Sequence, residues 1–351
     1  MKRTLVLGSL LACMNFSSAP EIVPFPIPSV QQQAEGERLD RAKEILEESK
    51  VKGALPSKEW KMITFSHLAQ GVSNLDLCVH QPEDCTPLLE EILLETGVKQ
   101  EQTLPEPLLE NGLYLAHLNI VLGSYQRVTH DDHYRKLNQQ ISEKLAQWSS
   151  DDSQKHVRSY AKLPHKWPAD QAAVLYSLYL YDQNYNTALS QRPIQEWLDF
   201  MHTKATNKEW ELPYSNITGK SNASIPRGCA LSWSVMYMAH FAPTEANSLW
   251  NKYKEHFWDK GLLISGFREW PLGEERGQDG DSGPIFYGIG ASASAFGMAA
   301  AKLQQDKDVF SRLKQNLDLA ELLLGLSSKV SRDYGSPLAQ SLLFYIDTIN
   351  P

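Results

Sequence analysis

Six apolar segments recur along the chain, and their starts lie roughly 50–60 residues apart. Small and aromatic residues dominate them, as in AAVLYSLYLYD and CALSWSVMYMAHF. A helix that is hydrophobic nearly all round is buried on every side. The pattern therefore predicts six buried helices, over about residues 60–75, 108–128, 169–185, 228–242, 286–303 and 337–348.

Charged, amphipathic segments alternate with the apolar ones. In residues 243–258, Leu249, Tyr253 and Phe257 recur at helical spacing while lysine and glutamate occupy the other face. Similar segments cover about residues 86–97, 134–148, 190–203 and 306–326. This alternation predicts an all-α domain of helical hairpins, an (α/α)6 toroid with an inner apolar ring and an outer amphipathic ring. An open α-solenoid is the competing architecture, and no period-2 strands are expected.

The connections between these helices differ in length. Turns from a buried helix to the next surface helix are short, such as Gln183–Leu189, whereas the returns over 149–168, 203–227 and 259–285 are long. Connections beyond about 12–15 residues in a compact domain are usually functional or disordered. The long ones share the face where the inner helices begin and where their free N–H groups point. The sequence predicts the binding face there.

The first residues have the features of an export signal. Two basic residues precede an apolar run from Thr4 to Ala12, which is too short to span a bilayer. The string LLAC resembles a lipobox, which implies a lipid on Cys13; an ordinary signal peptide cut near Ala19 is the alternative. The resulting prediction is a lipoprotein of the bacterial cell envelope, periplasmic or on the outer membrane, with a membrane anchor. Its segments are a signal peptide over 1–18, a Pro/Gln-rich tether over 19–34 and a toroid domain over 35–351.

Charge and cysteines narrow the choice of partners. The formal net charge of −8, with no basic block, argues against nucleic acid as a partner. Cys78 and Cys85 flank a short polar loop and predict a disulfide of an oxidising compartment. A metal pair there is disfavoured because His80 is the only other soft ligand nearby, and no metal or cofactor is expected. Cys229 lies in an apolar run and is predicted to be a buried thiol.

Candidate polar residues collect where the predicted inner helices begin. Asp170 lies in the first turn of the third one, where a carboxylate either offsets the helix dipole or acts as an acid or base at a cavity mouth. Trp167 directly precedes that helix, and Trp210 and Tyr214 lie in the connection before the next. Arg227 enters an apolar helix and is expected to meet a carboxylate of the protein or of a ligand.

The connection over residues 259–285 is the richest in candidate groups. It holds Arg268, Glu269, Trp270, Asp279 and Asp281, and Tyr287 follows it. Its string DGDSGP resembles a serine-protease motif but lacks one glycine, and its Asp-x-Asp lacks the later glutamate of a calcium loop. A capping turn that binds nothing explains these residues, whereas the density of acids, aromatics and an arginine favours a site.

The helix alternation, the Trp-Pro-x-Asp string at residues 167–170 and the acidic loops resemble six-hairpin glycosidase-type toroids, over roughly residues 40–350. The wider toroid group also contains polysaccharide lyases and, more distantly, linalool dehydratase-isomerase. The resemblance implies two carboxyl groups in one cleft, one protonated and one ionised. The candidate catalytic residues are Asp170, Asp281, Glu269 and Tyr287. The candidate substrate-binding residues are Trp167, Trp210, Tyr214, Arg227, Arg268, Trp270 and Asp279.

Three functional hypotheses follow. The first is a toroid that binds a glycan or another extended substrate and cleaves it, as a hydrolase or as a lyase with a tyrosine base and Arg227 at a uronate. The second is a non-catalytic envelope scaffold, which predicts carboxylates that are paired with Arg227 or Arg268 and share no cleft. The third is an enzyme for an isoprenoid-like substrate, which predicts a deep apolar cavity lined by Tyr176, Trp233 and Phe296.

Overall fold

The computed structural model describes residues 30–51, 53–55, 57–98, 110–218, 225–261, 264–325 and 336–350. In these residues the chain alternates between outer and inner helices. The outer helices are α1 (Val30–Lys50), α4 (Pro82–Glu95), α6 (Arg135–Asp151), α8 (Gln191–Lys204), α10 (Pro243–Phe257) and α12 (Lys307–Gly325). The inner helices are α2 (Lys58–Ser73), α5 (Gly112–Thr129), α7 (Pro168–Tyr185), α9 (Gly228–Phe241), α11 (Ala291–Leu303) and α13 (Pro337–Thr348). A short helix, α3 (Asp76–His80), joins α2 to α4.

The inner helices of the described chain form a closed ring. Each packs against the next, from α2 through α5, α7, α9 and α11 to α13, and α13 packs back against α2. The outer helices pack on the outside of this ring, as α10 does on α9 and α12 on α11. Ring closure excludes the open solenoid and confirms the predicted (α/α)6 toroid.

Burial follows the predicted division between the two rings. In α5 every residue of Gly112–Gln126 is buried, whereas α10 buries one stripe and leaves its charged face in solvent. Neighbouring inner helices approach most closely at glycines. A Cβ on Gly71 would lie 2.5 Å from the ring of Phe344, and one on Gly123 would lie 2.6 Å from Leu180. The small residues of the apolar segments therefore permit a tight ring.

Helix α1 supplies the sixth outer helix. It packs against α2 and α13, where the ring closes. It begins at Val30, inside the 19–34 segment that was predicted as a tether. The remainder of that segment and the leader with Cys13 lie outside the described residues. Among the described residues, no helix is both long and apolar enough to cross a membrane.

Two short antiparallel hairpins lie in the connection between α10 and α11. Strand β1 (Trp258–Lys260) pairs with β2 (Ser265–Phe267), and β3 (Ile285–Phe286) pairs with β4 (Ile289–Gly290). The expectation of no strands is wrong here, because strands of two or three residues are too short for a period-2 pattern. Residues 286–290 accordingly belong to the second hairpin, and α11 begins only at Ala291.

The cysteine predictions are confirmed, with one correction. Cys78 and Cys85 form a disulfide with Cα atoms 5.6 Å apart, and Cys229 is a buried free thiol. The segment between the bridged cysteines is not a loop, because Cys78 lies in α3 and Cys85 lies in the first turn of α4. The bridge thus joins two consecutive helices at a corner of the outer ring.

The two ends of the ring differ as predicted. At one end the inner helices begin, and the connections to them over 152–167, 205–227 and 258–290 are long. At the other end the inner helices stop, and residues near their ends, together with Tyr176 from the middle of α7, border a cavity of about 230 Å³. That cavity is bordered by Asn74, Arg127, Tyr176, His240, Leu303, Tyr345, Ile349 and Asn350. The polar candidates therefore gather at the N-terminal face.

Candidate active site

Asp170 lies in the first turn of α7, two residues after Pro168 at the helix start. It is half-buried, and among the described residues its Oδ2 atom is buried without a hydrogen-bond partner. Desolvation raises the pKa of Asp170 to about 7, although the neighbouring Ser159 hydroxyl opposes the shift. Near pH 7 a substantial fraction of this carboxyl group is therefore protonated.

Asp281 belongs to the connection between α10 and α11. Its side chain is exposed to solvent, yet enough protein surrounds it that desolvation raises its pKa. The charge of Asp279 raises the pKa further, and the charge of Arg227 opposes this. The Asp281 backbone N–H donates to Oδ1 of Asp279 over 3.1 Å, which holds the loop in place. A solvent-accessible group that is surrounded by protein fits the floor or wall of a cleft.

The two carboxyl groups interact with each other. The charge of Asp281 contributes to the raised pKa of Asp170, and both charges raise the pKa of Tyr160 after desolvation. Charge interactions weaken with distance, so these groups share one region of the face. Neither aspartate belongs to an ion pair among the described residues. Glu59 also acts on Tyr160, which brings the start of α2 to the same region.

Sequence reasoning missed Ser159, Tyr160 and Glu59. The first two precede α7 by eight or nine residues in an irregular loop, and nothing in their local pattern marks them. Glu59 follows the N-cap Ser57 of α2, where a carboxylate is common in any helix. Only the position of each at the start of an inner helix, or in a connection leading to one, was a usable signal.

Arg227 organises the second part of the face. Its Nε donates to Oε1 of Glu269 over 2.8 Å, and its Nη2 donates to Oδ1 of Asp279 over 2.8 Å. The predicted meeting of Arg227 with a carboxylate is confirmed. Glu269 also accepts from the backbone N–H of Cys229 over 3.2 Å and from its thiol over 3.1 Å. These contacts tie the start of α9 to the loop that carries Asp281.

The pKa values in this cluster follow from burial and pairing. Glu269 is completely buried, and desolvation raises its pKa against the opposing charge of Arg227. Burial acts to raise the pKa of Asp279 as well, but hydrogen bonds from Arg227 and from the Ser282 N–H hold it below its usual value. Burial raises the pKa of Cys229, so its thiol stays protonated and is a poor nucleophile.

The aromatic candidates have different surroundings. The ring of Trp167 stacks on His165 with centroids 5.0 Å apart and meets Tyr160 edge-on at 5.5 Å, which groups three rings just before the start of α7. The ring of Trp270 is engaged by two guanidinium groups, those of Arg227 at 4.8 Å and Arg276 at 5.6 Å.

Trp210 and Tyr214 help to set the course of the connection before α9. The partly buried Trp210 packs against the core and donates its backbone N–H to Asn207 Oδ1 over 3.1 Å. The Tyr214 backbone N–H donates to the Ala205 carbonyl over 2.9 Å. Their contacts are thus mainly with their own connection.

Arg268 and Tyr287 belong to the hairpin region of the 258–290 connection. The guanidinium of Arg268 pairs with Asp259 over 3.3 Å and with Glu275 over 2.9 Å. Tyr287 lies at the tip of the β3–β4 hairpin, and its side chain is 97 % exposed. Within the described residues, no group of three or more His, Cys, Asp and Glu side chains is arranged to hold a metal ion.

Solved structures with the same architecture act on polysaccharides. The GH76A α-1,6-mannanase from Salegentibacter sp. HEL1_6 superposes with a TM-score of 0.56 and 12% sequence identity, covering 89% of this chain and 98% of the mannanase. An inactive variant of that enzyme, with two aspartates replaced by asparagine and α-1,6-mannotriose bound, has a TM-score of 0.56, 12% identity and coverage of 90% and 99%. A polysaccharide lyase has a TM-score of 0.51, 10% identity and coverage of 89% and 83%.

The chain is similar to (α/α)6 toroid enzymes. At identities of 10–12% the similarity establishes the fold but not the reaction. No family model matches the chain. No curated protein matches it in sequence.

Proposed function

We propose that this protein is a glycoside hydrolase of the cell envelope that cleaves a neutral glycan between Asp170 and Asp281. The observation that carries the proposal is that the charge of Asp281 acts on Asp170, while neither carboxyl group is in an ion pair among the described residues. Glycoside cleavage uses two carboxyl groups with different protonation states in one cleft. Both pKa values are raised here, and the carboxyl group with the buried, unpartnered oxygen atom, Asp170, is assigned as the acid.

Asp170 takes the role of general acid in this proposal. Its pKa of about 7 keeps the proton available near neutral pH, and it can be donated to the leaving-group oxygen. Asp281 takes the role of base or nucleophile, because solvent reaches it and the charge of Arg227 opposes the rise in its pKa caused by desolvation and by Asp279. Trp167, at the N-cap of the helix that carries Asp170, would offer its indole face opposite His165 as an apolar surface for a sugar ring.

The charges of the face favour a neutral glycan over a uronate. A lyase needs a cation that neutralises the uronate carboxylate, yet Arg227 is already shared between Glu269 and Asp279. Arg268 is likewise shared between Asp259 and Glu275. A uronate carboxylate would also be repelled by the negative charges of Asp281 and the neighbouring Asp279. For this reason an α-1,6-linked mannan, the ligand type bound by one similar toroid, is the first substrate to test.

The rival hypotheses fit the geometry less well. A binding scaffold predicts that the candidate carboxylates are all ion-paired with arginines. Arg227 pairs with Glu269 and Asp279, but Asp170 and Asp281 are in no ion pair among the described residues.

An isoprenoid site predicts a deep apolar cavity lined by Tyr176, Trp233 and Phe296. Tyr176 does border a cavity of about 230 Å³, but the wall of that cavity also contains the polar side chains of Asn74, Arg127 and His240. The rings of Trp233 and Phe296 pack against each other with centroids 4.8 Å apart, and the buried polar rings of His67 and His117 lie within 6 Å of Trp233.

The envelope location rests on the leader sequence. The lipobox-like string implies a lipid on Cys13, and the Cys78–Cys85 disulfide is in keeping with an oxidising compartment. Expression in a bacterium with labelled palmitate tests this proposal. We expect the wild-type protein to carry the label and to be recovered in the membrane fraction. The Cys13→Ser variant should be unlabelled and absent from that fraction. Label on both proteins, or on neither, contradicts the lipid anchor.

The catalytic proposal is tested with the purified protein on neutral and uronate-containing glycans. Release of reducing ends is compared between wild type, Asp170→Asn, Asp281→Asn and the control Asp318→Asn on the outer helix α12. Removal of a general acid or base lowers kcat by at least about 100-fold. We expect that loss for the two site variants, normal activity for the control, and a wild-type activity that falls as the pH rises through about 7.

Three results would contradict this assignment. Activity of both site variants within a few-fold of wild type removes the two aspartates from the chemistry. An unsaturated uronate product replaces the hydrolase with a lyase. Glycan binding without cleavage in the wild type, unchanged in both variants, leaves the non-catalytic scaffold as the better description.

A further inference from the structure

The tip of the β3–β4 hairpin is an unusual place for tyrosine. Phe286 pairs with Ile289, so Tyr287 and Gly288 form the two-residue turn, with φ of 51° and 87°. Two-residue turns with positive φ at both central positions favour asparagine followed by glycine. A bulky side chain in this left-handed region is strained. Tyr287 therefore occupies a position where a smaller polar residue would fit better.

The tyrosine gains no packing in return for this strain. Its side chain is 97 % exposed, and Phe286 beside it is 59 % exposed. Strained residues persist where the surrounding structure holds them, and they cluster at ligand sites. The combination of strain and exposure therefore calls for a ligand that covers the ring.

The hairpin that carries Tyr287 is anchored to the candidate site. The Glu269 backbone N–H donates to the Gly288 carbonyl over 3.0 Å, and the backbone of Arg268 forms an antiparallel β-bridge with that of Ile289. The guanidinium of Arg268 lies directly against Gly288, because a Cβ there would be 2.5 Å from its Nη2 atom. Its ion pairs with Asp259 and Glu275 immobilise the guanidinium in turn. The ring is thus presented from a rigid base that also holds Glu269.

We propose that Tyr287 is a stacking platform for a sugar ring of the glycan. This ring lies outside the two sugars that are joined by the cleaved glycosidic bond. This inference rests on the proposed function and makes Tyr287 a substrate-positioning residue, in place of the catalytic role that the sequence suggested for it. A sugar ring presents an apolar C–H face with hydroxyl groups around its edge. That chemistry matches a small exposed aromatic tip next to a charged loop that contains Glu274, Glu275 and Asp279. The hairpin backbone is held in place and a tyrosine side chain has few rotatable bonds, so little conformational freedom is lost on binding.

The hairpin offers a variant that separates stability from binding. Tyr287→Asn places a residue suited to positive φ at the turn and removes the platform. We expect its melting temperature to equal or exceed that of wild type by about 1–2 °C. For long oligosaccharides we expect KM to rise by about 5–20-fold with kcat unchanged, in line with loss of one stacked ring. Disaccharides should be unaffected.

Two further variants and one binding measurement complete the test. Tyr287→Phe keeps the ring and should retain wild-type KM, and Leu94→Gln removes an exposed apolar residue from α4 without effect. Direct binding is measured by calorimetry with the inactive Asp170→Asn protein and its double variant with Tyr287→Asn. Equal binding of long glycans by these two proteins overturns the platform and leaves the hydrolase intact. Failure of both to bind any neutral glycan overturns both proposals.

Discussion

Arg227 and Glu269 form an ion pair inside the protein: Nε lies 2.8 Å from Oε1, and the glutamate side chain is completely buried. The pair joins Arg227, the N-cap residue of α9, to Glu269 in a loop 42 positions later in the chain. Through its second donor the same guanidinium holds Asp279, which in turn accepts the Asp281 N–H. One arginine thus fixes the loop on which the proposed base lies.

Removal of this arginine should destabilise the fold in a pH-dependent way. Arg227→Met leaves Glu269 buried without its cation, and breaking a buried pair costs about 3–5 kcal/mol at pH 7. Without Arg227 the folded pKa of Glu269 rises still further above its unfolded value. The lost stability therefore returns as the pH falls and Glu269 takes up a proton.

Urea unfolding at several pH values measures this effect. Arg312→Met is the matched control, because Arg312 pairs with Asp308 on the surface of α12 and its loss should cost less than about 1 kcal/mol. Equal, small losses for both arginine variants would show that Arg227 has no structural role.

Asp170→Asn should stabilise the protein at alkaline pH. The folded pKa of about 7 lies above the unfolded value near 3.9, so the folded state binds the proton more tightly. Its contribution to stability is full below about pH 4 and is lost as the pH rises through about 7. Asparagine carries no charge to desolvate, and we expect about 1–2 kcal/mol of added stability at pH 8.

Denaturant titrations between pH 4 and pH 8 compare wild type, Asp170→Asn and Asp318→Asn. The difference between wild type and Asp170→Asn should grow with pH, and the surface variant should show no such trend. A wild-type protein that is more stable than Asp170→Asn at pH 8 would contradict the raised pKa of Asp170 and its role as an acid.

Gly228→Ala should disrupt the contact between α9 and the site loop. A Cβ at Gly228 would lie 2.0 Å from the Arg268 carbonyl oxygen and 2.9 Å from the Cβ of Ala293. The Gly228 N–H also donates to the Glu269 carbonyl over 2.9 Å, so the helix cannot move aside freely. Overpacking of this kind costs about 1–3 kcal/mol.

Thermal unfolding of Gly228→Ala and Gly280→Ala gives the comparison. Gly280 lies in the same connection with nothing within 4 Å of its Cβ position, so alanine there should change stability by less than about 0.5 kcal/mol. Indistinguishable melting temperatures for the two variants would contradict the close approach at Gly228.

The sequence by itself determined the helical class and the division into buried and surface helices, whereas only closure of the ring excluded the open solenoid. Segments that are apolar all round predict buried helices, although the first residues of the 286–303 segment form the β3–β4 hairpin, and alternation with amphipathic segments predicts helical hairpins. The asymmetry of the connections then placed the polar candidates on one face. The Cys78–Cys85 bridge and the pairing of Arg227 with a carboxylate followed from local spacing and from the high free energy of an unpaired buried charge.

Only the tertiary structure decided which carboxylates are paired and which are not. Glu269 and Asp281 look equivalent in the sequence, yet one is completely buried with Arg227 and the other is exposed near Asp170. That difference arises because residues about 110 positions apart meet when the ring closes, and desolvation depends on every atom around a group. In the assembled fold the charges of both aspartates act on Tyr160, and Tyr287 is left exposed at its hairpin tip. Local pattern carries periodicity and turn chemistry, whereas pKa values and free surfaces are properties of the assembled ring.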